Sequence, residues 1–86
     1  MGDHYVYIVE CSDGTLYTGY TTDVDRRVDE HNDGAGAKYT AGRTPVTLRY
    51  VEAHPSRSAA QKREYELKPR SRAEKERLLR TSEDGR

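Results

Sequence analysis

Tyr5-Val6-Tyr7-Ile8-Val9-Glu10-Cys11-Ser12-Asp13-Gly14-Thr15-Leu16-Tyr17-Thr18-Gly19-Tyr20 is the stretch on which the fold turns. His4 to Cys11 is rich in aromatic and β-branched residues and reads as one strand, and Thr15 to Tyr20 as a second. Asp13-Gly14 between them is a hairpin signal, because glycine enters a left-handed conformation without a steric penalty. Loop length then decides what the hairpin can do. With a two-residue loop, Tyr7 and Tyr17 fall on opposite faces. With the three-residue loop Ser12-Asp13-Gly14, residue 9 pairs with residue 17 and the two phenols share a face, since side chains alternate with period two. A type I turn closed by a left-handed glycine favours the longer loop, so a shared face is predicted.

Working outward, Thr22 is the expected N-cap of a helix over 23–32, with Asp23 and Asp25 meeting the helix dipole in the first turn. Val24 and Val28 form its apolar stripe, and Arg27 and His31, four residues apart, lie on one face. Residues 33–44 are a glycine-rich connection of a length that is usually functional or mobile. Pro45 ends it, and 46–53 reads as a third strand. Pro55 and Ser56 open a second helix over 57–68, which Pro69 stops. Ser71 and Glu74 form a capping box for a third helix over 72–80. The expected architecture is α+β, in the order β-β-α-β-α-α, with a small three-stranded antiparallel sheet flanked by helices. Residues 1–81 make a single domain, and 82–86 a frayed tail.

Composition narrows the function. Only 33% of the 86 residues are apolar and 35% are charged, yet the formal net charge is zero and seven tyrosines are spread along the chain. That describes a folded domain with a thin core. A lone cysteine, Cys11, has no internal partner, which fits a reducing compartment. No apolar run approaches membrane-spanning length and no signal-peptide stretch is present, so a cytoplasmic protein with no membrane association is expected, by default a monomer. The zero balance conceals a split. Residues 1–33 carry eight acids and two bases, a balance of −6, and 34–86 carry thirteen bases and seven acids, a balance of +6. Such asymmetry suggests a polyanionic partner, and eleven of the fifteen bases are Arg, which suits bidentate phosphate contacts.

Phenol, guanidinium and imidazole are groups that a phosphodiester-cleaving site uses. A perturbed phenol, as at Tyr7 or Tyr17, can act as a base toward water. Arg27 can stabilise charge on a phosphate, and His31 can move a proton near neutral pH. Taken singly, such tyrosines are more often packing, and a helical Arg or lone His is more often solvated or structural. There is no CxxC and no His pair at zinc spacing, which argues against zinc. Magnesium needs one or two carboxylates with phosphate and water. Ala60, Glu64 and Leu67 share a helical stripe, so Glu64 rather than Glu66 borders the core and is the better ligand, a salt bridge to Arg27 being the alternative. Lys38, Tyr39, Arg43 and Arg49 mix bases with an aromatic, as nucleic-acid contact requires. No P-loop, GxSxG or Rossmann fingerprint is present.

Together these motifs resemble the GIY-YIG nuclease superfamily, and more closely its small stand-alone, single-domain branch (UPF0213-like). Tyr5-Val6-Tyr7 and Tyr17-Thr18-Gly19 match the two name-giving signatures, with Tyr5 in place of Gly and Thr18 in place of Ile. Arg27-x-x-x-His31, Lys38-Tyr39-Thr40-x-Gly42-Arg43-x-Pro45-Val46, the Glu64-bearing helix and Ser71 to Lys75 follow in the order of that branch, over roughly residues 4–80. A further Asn carried by many members after the metal-binding Glu has no equivalent here. The resemblance implies metal-dependent hydrolysis of a nucleic-acid phosphodiester with Mg²⁺ or Mn²⁺. Tyr7 would activate water, Tyr17 would tune it and Arg27 would hold the phosphate. His31 would assist proton transfer and Glu64 would bind the metal. The implied partner is DNA, including branched or single-stranded forms, in DNA repair or processing. Cutting would be structure-selective or weakly sequence-specific. The competing expectation is a non-catalytic nucleic-acid-binding or complex-forming module of the same fold.

Overall fold

The computed structural model describes residues 3–84, the last four by backbone alone. Its elements are β1 (His4–Glu10), β2 (Leu16–Thr21), α1 (Val24–Asn32), α2 (Lys38–Ala41), β3 (Thr47–His54), α3 (Arg57–Leu67) and α4 (Arg72–Asp84). The three strands form one antiparallel sheet in the order β2-β1-β3.

The hairpin closes with the three-residue loop. Cys11 N–H donates to the Thr15 carbonyl at 2.8 Å, and Gly14, at φ +86°, turns the chain back. Val9 therefore faces Tyr17 and Tyr7 faces Gly19 across the pair. Both phenols point to one side of the sheet, as predicted. Asp13 secures the turn by accepting from the Thr15 amide and hydroxyl at 3.1 and 2.6 Å.

β1 is central, so both of its faces are covered, and Val6 to Val9 is buried without interruption. Period two sorts these residues into two cores. Tyr7 and Val9 join Cys11 and Val46, with Val28 of α1 packed on them. Val6 joins Ala60 and Leu67 of α3, with Leu78 of α4 against it. Each core is thin, and truncating Leu67, 1% exposed, to Ala would cost about 2–5 kcal/mol.

Element ends follow local chemistry. The N-cap of α1 is Asp23, not Thr22: Asp23 is extended at φ −149° and accepts from the Arg26 amide. Thr22 is displaced from that role because Thr21 Oγ1 takes the Asp23 amide at 3.1 Å and sets the approach of the chain. The long connection is not structureless, since α2 forms one turn within it and buries Thr40. The capping box is present, with Glu74 N–H donating to Ser71 Oγ at 3.2 Å and Ser71 N–H to Glu74 Oε1 at 3.0 Å. The backbone of α4 continues to Asp84, and the end of the expected tail, 85–86, lies outside the described residues. Among the described residues no helix is long and apolar enough to cross a membrane.

Candidate active site

α1 crosses the face that carries Tyr7, and its geometry delivers His31 into the core. His31 is 0% exposed. Its Nε2 lies 2.8 Å from the Tyr7 hydroxyl and its Nδ1 2.7 Å from Thr40 Oγ1. The Thr40 hydroxyl has one proton and directs it to the Ala37 carbonyl at 3.0 Å. It therefore accepts from His31 Nδ1–H, which leaves Nε2 bare to accept from Tyr7. The Ala37 amide, 3.4 Å from Nδ1, is too distant to reverse that order. The result is a directed chain, Tyr7 to His31 to Thr40 to a backbone carbonyl.

Two glycines make room for it. A Cβ on Gly19 would stand 2.4 Å from the Tyr7 hydroxyl oxygen and 2.5 Å from Cζ, so the phenol lies across the β2 backbone at that residue. A Cβ on Gly36 would stand 2.3 Å from His31 Nδ1. These glycines permit close approach rather than an unusual φ.

Burial pushes the Tyr7 pKa up to about 12, the Arg27 guanidinium beside its hydroxyl pulls it down, and the nearby Tyr17 and Glu64 push it up again. Burial lowers the His31 pKa, Arg27 adds to that effect, and Glu30 opposes it. Both members of the pair are thus neutral at neutral pH, with a cation beside the phenol. Arg27 is itself held by Glu30 at 2.9 Å.

Tyr17 completes an aromatic group, its ring centre 5.4 Å from His31 and 6.5 Å from Tyr7. Tyr39 of α2 stacks on Tyr17 at 5.6 Å, and the Arg43 guanidinium lies 4.4 Å over Tyr39. Arg43 is also tied to Asp13 at 3.0 Å and to the Tyr39 carbonyl at 2.8 Å, so it ties the hairpin turn to α2. Lys38 is exposed at the start of α2. Arg49 stands apart from this group, paired with Glu10 beside the hollow that Arg72 and Arg80 line. Glu64 does not pair with Arg27. Its Oε2 is 3.4 Å from Lys68 Nζ, and Lys68 also lies 5.7 Å over the Tyr17 ring.

The structure thus brings Tyr7, Tyr17, Arg27 and His31 together, with Glu64 close enough to act on the charge of Tyr7. Thr40, Gly36 and the reason for Gly19 escaped sequence reasoning. Their place in a glycine-rich segment directly after the helix that carries Arg27 and His31 was the available signal for the first two.

Among the described residues no group of three or more His, Cys, Asp or Glu could hold a metal by itself. Glu64 is half-buried, one carboxylate with a lysine in contact. That donor set fits a hard cation that keeps its waters and binds together with a phosphate, and does not fit zinc.

The family model for the GIY-YIG catalytic domain matches residues 3–77. A UPF0213 protein of Halobacterium salinarum is 68% identical over 76 residues, covering 88% of this chain and 99% of that protein. A UPF0213 protein of Staphylococcus aureus is 57% identical over 79 residues, covering 92% and 96%. Two solution NMR structures are similar. The UPF0213 protein BH0048 from Bacillus halodurans, 58% identical, covers 88% of this chain and 81% of its own at a TM-score of 0.57. The protein EF2693 from E. faecalis, 44% identical, covers 93% and 85% at 0.62.

Proposed function

The chain belongs to the GIY-YIG catalytic-domain family, typical of nucleases, and from that premise we propose that it is a metal-dependent endonuclease hydrolysing DNA phosphodiester bonds. The observation that carries this reading is the directed hydrogen-bond chain from Tyr7 through His31 to Thr40, with Arg27 at the phenol. The Tyr7 oxygen takes a proton from the attacking water as its own proton passes to His31 Nε2. His31, its Nδ1–H held by Thr40, carries that proton only transiently because burial disfavours the imidazolium, and returns it through the Tyr7 oxygen to the leaving oxygen when the phosphate bond breaks. Arg27 stabilises both the phenolate and the negative charge on the phosphate. Tyr17 walls the centre against water on the strand side. Glu64, with substrate oxygens and water, would hold a divalent cation such as Mg²⁺ or Mn²⁺, which supplies charge stabilisation at the leaving oxygen.

Exposed Tyr39, backed by Arg43, offers a platform for a base, with Lys38 and Arg49 as phosphate contacts. In this reading the cutting is structure-selective or weakly sequence-specific, in DNA repair or processing. One observation favours a second reading, a nucleic-acid-binding or complex-forming module without catalysis: Lys68 sits on the Glu64 carboxylate that a metal would need.

The deciding experiment incubates the purified protein with single-stranded, duplex, flapped and branched DNA, in Mg²⁺ and in EDTA, beside Glu64→Ala and Tyr7→Phe variants. Metal-dependent cutting lost in both variants is the expected result. Cutting retained by both would assign it to a contaminant. Binding without cutting would select the second reading.

A further inference from the structure

A cleft of about 480 Å³ opens on the outer edge of the sheet, between β2 and the α3–α4 junction. Tyr17 and Tyr39 line it on one side and Lys68, Arg70, Arg72 and Lys75 on the other. Lys68 and Arg70 lie in the junction between the two helices, and Arg72 and Lys75 in the first turn and the next of α4. The turn of the chain there points all four into one concavity.

Lys75 is the unusual member. It is 7% exposed, on the buried side of α4, and among the described residues no carboxylate pairs with it. The charged neighbour that acts on it is another cation, Lys68. A buried ammonium without a counter-charge is unfavourable, and a second cation beside it makes it more so. Thr18 of β2 also lines the cleft, and its Oγ1 is buried with no hydrogen-bond partner among the described residues. Arg70 has no carboxylate partner among the described residues, whereas Arg72 is held by Glu76 at 2.7 Å. An uncompensated buried cation, an unused hydroxyl and a free guanidinium around one cavity lack the same thing, an anion with several acceptor oxygens.

Lys68 connects this cleft to the catalytic centre, since it touches Glu64 and overlies Tyr17. An anion in the cleft therefore lies beside the strand that carries one catalytic tyrosine.

We propose that this cleft is a second phosphodiester subsite, in which Lys75, Arg70 and Thr18 hold a backbone phosphate of the nucleic-acid strand flanking the cut. The assignment rests on the nuclease reading above and adds the path of the strand. From the scissile phosphate at Arg27 it passes the Tyr17–Tyr39 stack and continues along β2 toward the start of α4.

The test measures binding without catalysis. Fluorescence anisotropy of a labelled single-stranded oligonucleotide in EDTA is followed across a salt series for the whole chain, for Arg70→Gln, and for Arg70→Gln combined with Lys75→Met. Loss of this phosphate contact in the double variant should weaken binding about fivefold near 0.1 M salt and flatten the slope of log affinity against log salt by about 0.7. Arg70 is exposed, so the single variant reports even if the double one fails to fold, with a flattening in the same direction of at most about 0.7. Unchanged affinity and slope in Arg70→Gln, or no binding by the parent chain, would overturn the subsite. Parallel cleavage assays in Mg²⁺ separate the two readings. Cutting by the parent with unaltered binding by the variants removes the subsite and keeps the nuclease. Weakened binding with no cutting by the parent does the reverse.

Discussion

Tyr7 and His31 meet through a 2.8 Å hydrogen bond although 24 residues separate them. The bond joins the central strand to the first helix inside the core, where neither group touches bulk water: their exposures are 1% and 0%. A polar pair buried in so thin a core is retained at a cost, because similar volumes of apolar side chain would pack there without needing partners. Its environment keeps the phenol protonated and the imidazole neutral, with Arg27 placed to favour the opposite state of the phenol. That is the arrangement of a proton relay at rest.

Gly19 is the residue on which this relay depends sterically. A methyl group there would meet the Tyr7 hydroxyl and Cζ at 2.4 and 2.5 Å, and the ring, enclosed on its other sides, has little room to retreat. Gly19→Ala is expected to destabilise the fold by about 1–3 kcal/mol through overpacking, measured by urea unfolding. Where the variant remains folded, cleavage should fall about a hundredfold, because a displacement of the order of an ångström removes the Tyr7 oxygen from its position. Activity and stability both equal to the parent's would show that the ring moves freely.

His31 should make stability depend on pH. Its pKa is lowered in the fold, so between its folded and unfolded values the unfolded chain binds a proton that the folded chain does not. Stability from this group is complete above about pH 6.5 and declines as pH falls through that value toward the folded pKa, by about 1.4 kcal/mol for each unit of depression. Asp13 and Glu52, whose pKa values are lowered, add their losses at more acid pH, below their ordinary values of 3.8 and 4.5. Urea titrations of parent and His31→Gln should diverge between about pH 7 and 5, with the variant flatter there. Parallel curves would remove His31 from the buried neutral state.

How much of this was legible in the sequence depends on where the deciding forces act. Ser12-Asp13-Gly14 set the register, because turn chemistry is local and β-alternation transmits it to Tyr7 and Tyr17 without further information. The Ser71–Glu74 box was readable for the same reason. Thr22 and Asp23 are both good caps, and the choice fell to Asp23 through a contact from Thr21 that propensity does not contain. Thr40 and Gly36 lie in a segment with no periodicity, and their importance comes from a helix that folds over them. Glu64 was located by helical spacing, and the alternative weighed for it, a bridge to Arg27, does not form: Lys68, one turn along, reaches it, while Arg27 is engaged by Glu30. Lys75 reads as one more charge on a solvated helix until the packing of α4 buries it.

Tyr7 and Tyr50 supply an alkaline counterpart. Both phenols are pushed up to about 12 from 10.0, in each case chiefly by burial. A phenol with a raised folded pKa contributes stability that is complete below about pH 10 and is lost as pH rises toward 12, roughly 2–3 kcal/mol for fully buried Tyr7. The exposure-discounted share of Tyr50 is smaller. Absorbance titration near the phenolate band should show two phenols that resist ionisation until about pH 12, and Tyr7→Phe should remove one of them. Two resistant phenols persisting in Tyr7→Phe would contradict the placement of its hydroxyl.

Lys68 should govern the access of a metal to Glu64. The two form a partly exposed pair at 3.4 Å, with side-chain exposures of 51% and 21%. Such a pair is worth about 0.2–1 kcal/mol, which a cation must displace before it uses the carboxylate. Lys68→Met keeps the apolar stem over Tyr17 and removes the charge, and should tighten Mn²⁺ binding by up to about fivefold, the affinity equivalent of that energy. Mn²⁺-induced broadening of amide signals along α3 measures this without any substrate. Glu64→Ala should abolish the broadening in parent and Lys68→Met backgrounds alike. Broadening that survives Glu64→Ala would place the metal elsewhere, and an affinity unaffected by Lys68→Met would mean that the lysine leaves the carboxylate at no cost.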